Sequence, residues 1–482
     1  MFPPIQDLYR VAPEIVLCGF GMLVMLLAPV VSRTRHGVLA GVSLVGAALA
    51  LASTYYPMTH PGLAYSGLFR ADAFSLFVHW IVCGVAFLGI LGSIGYLKRD
   101  DLDAAEYCAL VLFATAGMGV MAGAHELLTA FIGLEISSIA SYILASYRRD
   151  APRSNEAAMK YFLLGSFATA FFLYGVALMF GATGSTHIDE ISKALLGGPI
   201  PVLAFVAVAF MFVGLGFKVA VAPFHVWTPD VYEGAPAPIV GLMSTAPKAA
   251  AFAVLLRIIF VIHVPGMFWV VWIAAALSMT LGNLGALVQN NIKRLLAYSS
   301  IAHAGYLFMG FAAAPQAGTS AAMFYTASYA AMNLGALAVV SHFANSGERY
   351  VTMEDYEGLG RSSPLLAAML TIFLLSLIGI PMTGGFFAKF YVFGAAIKAK
   401  LIWLTIIGVL NSGIGGYYYL RIIVMMYMRE SRKPVPVSPI PFPLGVAITV
   451  CMAATLYLGI LPGSVLQYTQ TSAQQLIQQA HP

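Results

Sequence analysis

Apolar stretches of about twenty residues follow one another along the whole chain, separated only by short connections that carry charge, proline or glycine. A helix needs ~20 apolar residues to cross the hydrocarbon core of a bilayer. Fourteen such runs can be read. The first seven are Pro13–Val31, Gly37–Tyr55, Ala73–Leu97, Ala105–Ala124, Leu127–Tyr147, Ala157–Thr183 and Val202–Ala222. The second seven are Pro238–Ile262, Gly266–Gln289, Ala297–Ala314, Thr319–Phe343, Pro364–Ile397, Leu401–Tyr427 and Pro443–Leu461. No connection is long enough to hold an inserted soluble domain. Residues 1–482 therefore read as one polytopic, all-α membrane domain lying in a lipid bilayer. The last stretch, from Val465 onward, is polar and glutamine-rich and reads as a frayed tail.

Composition excludes the main alternative. The chain is 60% apolar and 9% charged, whereas soluble domains average about half and about a quarter. Twenty acids and 25 bases cannot coat a soluble globule of 482 residues, so a soluble enzyme is ruled out. Cys18, Cys83, Cys108 and Cys451 lie in apolar runs without CxxC spacing, so no disulfide framework, iron–sulfur or zinc site is indicated. No phosphate-cradling glycine motif is present. The net charge of +5 does not point to nucleic acid, because the bases are scattered among short loops. No cleavable signal stands out, the first run being long enough to span.

Those loop bases are unevenly shared. One side holds Arg10, Arg70, Lys193, Lys398 and Lys400. The other holds Arg33, Arg35, Lys98, Arg99, Arg148, Arg149, Arg153, Lys293, Arg294, Arg349, Arg361, Arg429, Arg432 and Lys433. Cytoplasmic loops are enriched in Lys and Arg. Both termini are therefore expected outside, which is periplasmic in a bacterial inner membrane.

Six bases remain inside the runs: Lys160, Lys218, Lys248, Arg257, Lys389 and Arg421. Of the acids only Glu135 sits mid-run, with Ser138 and Tyr142 three and seven residues on, so that helix has a polar face. A charge at bilayer depth costs about 2.5–3.5 kcal/mol on insertion scales, and such residues mark ion or proton paths. Lysine suits a proton relay because burial favours its neutral form and a nearby carboxylate its charged one. Lys218, Lys248 and Lys389 lie well inside their runs, where a functional reading is favoured over a packing one. Glu135 is expected close enough to Lys218 for each to bias the other's protonation. Position leaves Lys160 balanced between relay and interface. Arg257 and Arg421 lie nearer run ends, and snorkelling is preferred for them. His225 and His303 could pass protons or be satisfied core histidines, while His79 and His342 are expected at the interface. No histidine pair is spaced for haem.

Two runs look broken. Lys218 in GFKVAVAPFHVWTPD is followed by Pro223 and Pro229, and Lys389 in SLIGIPMTGGFFAKFYVF is preceded by Pro381, Gly384 and Gly385. Such breaks at membrane depth are tolerated where they are buried or line a wet cavity. Paired breaks point to inverted repeats. Two five-helix repeats, residues 105–263 and 266–428, would place the breaks in the fourth helix of each.

The segment FKVAVAPFHVWTPDVYEGAPAPIVGLMSTAPKAAAF resembles the signature of the antiporter-like membrane subunits of respiratory complex I, the NADH-quinone oxidoreductase. NNIKRLLAYSSIAHAGY and GIPMTGGFFAKFYVF are similar to two further blocks of that family, and the resemblance covers nearly the whole chain. VYEGAPAP followed by STAPKAAAF resembles the N-type members, and Lys389 stands where M-type chains usually carry glutamate. The resemblance implies a proton path through Glu135, Lys218, Lys248 and Lys389, with Lys160, His225 and His303 as secondary members. It implies partner membrane subunits, and FMN, iron–sulfur clusters and quinone on other subunits rather than in this chain. Two other readings remain open: a subunit of a multisubunit cation/proton antiporter, and a structural membrane subunit without a path. The VYEGAPAP loop argues against the first and the intramembrane charges against the second.

Overall fold

The computed structural model of the chain describes residues 4–31, 36–196, 198–262, 266–313, 315–431, 435–436 and 438–480. Arg33, Arg35, Arg432 and Lys433, counted above toward the charge bias, and Ala314 lie outside the described residues.

The protein is a bundle of helices. The first six long helices are α1 (Ala12–Leu27), α2 (His36–Ser53), α3 (Ala73–Arg99), α4 (Ala104–Gly123), α5 (Leu127–Ala145) and α6 (Pro152–Thr183). The seventh run becomes α7 (Val202–Val219) and α8 (Thr228–Gly234), and the eighth becomes α9 (Ala237–Met243) and α10 (Ala246–Val261). Then follow α11 (Met267–Leu287), α12 (Ile292–Ala312) and α13 (Pro315–Phe343). The twelfth run divides into α14 (Pro364–Ile378) and α15 (Gly384–Lys398). The chain continues through α16 (Ile402–Met428), α17 (Phe442–Ile460) and α18 (Gly463–Ala480). Among the described residues, eleven helices are long and apolar enough to cross a membrane by length and composition. The three other expected spans correspond to α1, to the pair α14 and α15, and to α16, which are shorter or more polar.

Glycines let the helices approach closely. A Cβ at Gly117 of α4 would stand 2.8 Å from the Gly133 carbonyl of α5, and a Cβ at Gly133 would stand 2.8 Å from the Gly117 carbonyl. Close backbone approach at small residues is how helices associate where lipid removes the hydrophobic drive. The central helices carry the core: Ala237–Ile258 is buried throughout its best window, and Ile292–Ala312 almost throughout. Exposed Ile132, Ile136, Ile139 and Ile143 on α5, and Phe162, Leu163 and Phe167 on α6, form an apolar outer surface.

Three expectations change. The tail is not frayed: α18 buries Thr469, Ser472, Ala473 and Leu476 at helical spacing, and Ser320 of α13 meets Thr469 at 3.0 Å. Arg257 does not snorkel. It is 2% exposed and donates to Asp72 at 2.9 and 3.1 Å, while Asp72 also caps α3 through the Ser75 N–H. A buried guanidinium is tolerated because one of its nitrogens, Nη2, meets both oxygens of a carboxylate that itself closes a helix end. His79 is buried rather than interfacial, its Nε2 2.6 Å from Glu14 Oε1 and its Nδ1 2.7 Å from the Ser75 carbonyl. Arg421 does lie at the surface, donating to Asn290 at 3.1 Å. Between α2 and α3 a two-stranded antiparallel sheet joins β1 (Gly62–Ala64) to β2 (Phe69–Ala71), with Leu63 opposite Arg70.

Candidate functional site

Lys218, Lys248 and Lys389 each lie beside a break in a helix. α7 stops after Lys218 because Ala220 takes a left-handed conformation (φ 60°) and Pro223 cannot continue the ladder. Protein groups stitch the gap: Trp227 Nε1 donates to the Phe217 carbonyl at 3.0 Å, and the Ala222 N–H to Ser278 Oγ at 2.8 Å. The Lys218 ammonium, buried at 3% exposure, donates to Ser138 Oγ at 2.9 Å and Tyr161 OH at 3.3 Å. It also lies over the rings of Tyr161 and Tyr142, 5.6 and 5.9 Å from their centroids.

Glu135 stands one turn before Ser138 on α5 and is half-buried. Among the described residues no carboxylate oxygen lies within 4.0 Å of the Lys218 ammonium, so the two charges do not touch. A serine hydroxyl on the glutamate's own helix face meets the lysine instead.

Lys248 occupies the first turn of α10, just after the chain kinks at Ser244 and Thr245. Asn333 of α13 holds that kink by donating to Ser244 Oγ at 2.7 Å. The Lys248 ammonium donates to Ser300 Oγ at 2.6 Å and to the Ser300 carbonyl at 3.2 Å. Tyr329 OH donates to the same Oγ at 2.8 Å.

From Ser300 the polar groups continue along one face of α12, since Ser299, Ser300, His303 and Tyr306 recur at helical spacing. His303 Nδ1 lies 2.6 Å from Tyr325 OH and its Nε2 3.3 Å from Tyr419 OH, and Tyr419 also meets Ser299. Tyr306 turns its ring toward Lys389, whose ammonium is 5.0 Å from the centroid.

Lys389 belongs to α15, beyond the second break. α14 ends at Gly379, whose φ of +94° is open to glycine and costly to other residues. Gly385 is required by space, because a Cβ there would run into the Ser376 carbonyl. The Lys389 ammonium donates to the Ile378 carbonyl at 2.8 Å, the Leu377 carbonyl at 3.2 Å and Ser412 Oγ at 2.9 Å. The orphan carbonyls of the broken helix are thus met by the lysine itself, at the negative end of the helix dipole. Lys248 lies near the middle of the joined span Ala237–Ile258 and His303 near the middle of α12, whereas Lys218 is the last but one residue of α7 and Lys389 lies in the second turn of α15.

The secondary candidates separate. His303 is central. Lys160 is 42% exposed and pairs with Glu156 and Asp230, each at 2.8 Å, while Arg294 holds Asp230 and Glu233 at 2.7 and 2.9 Å. It belongs to a surface ion network around α8. His225 sits half-buried in the turn between α7 and α8, and among the described residues no hydrogen bond joins it to Lys218, Lys248 or Lys389. The hydroxyls of Ser138, Tyr161, Ser300, Tyr325, Tyr329, Ser412 and Tyr419 went unrecognised as partners. For Ser138 and Ser300 the signal was helical spacing to a charged neighbour; the others come from distant helices. A row of amines, an imidazole and hydroxyls can pass protons by alternate donation and acceptance. Among the described residues no cluster of three or more metal-ligating side chains occurs.

The family model described as NADH:quinone oxidoreductase/Mrp antiporter, TM, matches residues 124–415. The chain is 57% identical over 483 residues to NADH-quinone oxidoreductase subunit N 2 of Koribacter versatilis, covering 98% of each protein. It is 44% identical to subunit N of Trichlorobacter lovleyi, with 97% of each covered. It superposes on a chain of respiratory complex I from Thermus thermophilus with a TM-score of 0.82 and 36% identity, covering 94% of this chain and 98% of that one. A chain of the Mrp complex from Dietzia sp. gives a TM-score of 0.82 at 21% identity, with 97% of each covered, a likeness of fold alone.

Proposed function

The chain belongs to the NADH:quinone oxidoreductase/Mrp antiporter transmembrane family, and from that membership we propose a specific proton path through it. Its place is that of the subunit N relatives: a proton-translocating membrane subunit of an NADH-quinone oxidoreductase, working among other membrane subunits. The antiporter reading falls behind, since the relatives of high identity are subunit N proteins and the Mrp likeness is one of fold. FMN, iron–sulfur clusters and quinone belong to other subunits in this reading.

The observation that carries the path is the continuous polar face of α12 between Lys248 and Lys389. Glu135 and Lys218 form the entry, with Ser138, one turn from the glutamate on α5, meeting the lysine. Lys248 is the central donor, Ser300 and His303 relay, and Lys389 is the outlet. Lys160 and His225 are peripheral to it. The segments 105–263 and 266–428 act as inverted repeats, each contributing one half-path at its broken helix.

Lys248→Met keeps the bulk and removes the titrating amine. In the assembled complex, proton translocation should fall by about 10²-fold, the scale of losing a positioned proton-transfer group. Translocation at the wild-type rate, measured in sealed vesicles, would reject the path.

Orientation has its own test. The bias of loop bases places both termini on the periplasmic face of a bacterial inner membrane. Reporters fused after α18 and in the loop of Arg148–Arg153 should report opposite compartments, the tail outside. A tail reporter active in the cytoplasm would reverse the proposed direction of the half-paths.

A further inference from the structure

Where α8 gives way to α9, two residues, Ala235 and Pro236, turn the chain, and both helix ends are left with unsatisfied backbone groups. One ion pair satisfies both. The Lys293 ammonium donates to the Ala235 carbonyl at 2.6 Å, and Glu348 Oε1 accepts the Ala237 N–H at 2.7 Å. Lys293 and Glu348 meet each other at 2.6 Å, and their side chains are 1% and 6% exposed. Tyr96 OH of α3 donates to Glu348 Oε1 at 2.9 Å. Four separate parts of the chain converge on this one carboxylate: α3, the α8–α9 joint, α12 and the loop before α14.

The loop that presents Glu348 is firmly held. Glu348 has a φ of +52° and follows Gly347 at +72°, an arrangement a non-glycine residue keeps only when its surroundings enforce it. Asp100 Oδ1 accepts from Ser346 Oγ at 3.0 Å and from the Gly347 N–H at 2.9 Å. The Ile292 N–H donates to the Val351 carbonyl at 2.8 Å, tying the loop to the start of α12. Burial by itself would raise the Glu348 carboxyl. The Lys293 cation, with hydrogen bonds from Lys293, Ala237 and Tyr96, outweighs that and holds it below the usual carboxylate range, so it stays ionised.

The geometry fixes what this pair can control. Lys293 and Ser300 lie seven residues apart on α12, two turns along the same face. Ala237 and Lys248 lie eleven residues apart on the segment made of α9 and α10. The ion pair and the Lys248–Ser300 contact are therefore two rungs between the same two elements. We propose that Glu348, together with Lys293, is a positioning residue for the central proton transfer: it sets the height of α9 and α10 against α12 and so brings Lys248 onto Ser300. This rests on the proton path proposed above.

The test uses the assembled complex in sealed vesicles. Glu348→Gln keeps the acceptor for Ala237 and Tyr96 but removes the charge that Lys293 needs. Proton translocation and the quinone turnover coupled to it should fall by about tenfold, since sub-ångström misplacement of a transfer partner is costly. NADH oxidation by an artificial electron acceptor should stay unchanged, reporting an intact assembly. A positioning role also predicts non-additivity. In a Ser300→Ala background, Glu348→Gln should lower translocation by less than about twofold further, because the contact it serves is already gone. An undiminished tenfold further loss would overturn the proposal, as would wild-type translocation in assembled Glu348→Gln. Should the single variant not assemble, Lys293→Gln with Glu348→Gln removes both charges and keeps a donor and an acceptor at the joint. The same non-additivity with Ser300→Ala is expected of that pair, and additivity there overturns the proposal equally. Lys248→Met run alongside separates the two failures. If it pumps normally, the path itself is wrong. If it does not pump while the Glu348 variants do, the path stands and the positioning role falls.

Discussion

Lys389→Met is expected to lower proton translocation by about 10²-fold while the complex still assembles. The ammonium bridges two carbonyls at the end of α14 and Ser412 of α16. Methionine fills the same space but offers no proton and no donor. Assembly should survive because α14 and α15 also hold together through the Gly385 N–H, which donates to Ser376 Oγ at 3.1 Å. Lys389→Arg sharpens the test. Arginine can keep the bonds to the α14 carbonyls, yet its guanidinium does not release its proton in proteins. Lys389→Arg should therefore assemble and fail to translocate. If arginine supports wild-type translocation, Lys389 is a helix cap and not a carrier.

Lys218→Ala is expected to be equally severe, by about 10²-fold or more, and Glu135→Gln to impair translocation in the same direction. The contacts of Lys218 bear on how the two would act on that path. Lys218 meets Ser138 and Tyr161 and not the carboxylate, so on the proposed path Glu135 would act with the serine hydroxyl lying at the lysine rather than through a closed ion pair. Ser138→Ala should then lower translocation with Glu135 and Lys218 both intact. Measured translocation in sealed vesicles decides the matter: a Ser138→Ala complex that matches Lys218→Ala in severity makes the hydroxyl part of the route. Wild-type rates in assembled Lys218→Ala would remove Lys218 from it.

The helices and the lysines were readable because both announce themselves locally. An apolar run of twenty residues has one stable form in a bilayer, and a lysine within it stands out against its neighbours. The breaks were readable for the same reason, since Pro223, Pro381, Gly384 and Gly385 act on their own turn of helix. What could not be read was pairing between distant segments. Arg257 looked like a snorkelling residue because nothing near it in sequence reveals Asp72, 185 positions away. Lys293 looked like a loop base counted for topology. Its burial depends on Glu348, which approaches from the loop before α14. The tail was misjudged because its glutamines outweigh a sparse stripe of small and apolar residues that only α13 makes meaningful. The hydroxyls around His303 come from α13 and α16, and no spacing rule links them to α12.

Taken as a lateral row, the relay proposed above has an electrical consequence. Carrying one charge through the full membrane potential is worth about 2.3 kcal/mol per 100 mV. In that row a hop from Lys248 by way of His303 to Lys389 would run parallel to the membrane plane and so cross almost none of that voltage. On the proposed path the potential would do its work only on the two vertical legs, from one face to Lys218 and from Lys389 to the other. Opposing voltage should therefore slow filling and release, and leave the lateral step as fast as it is in an uncharged membrane.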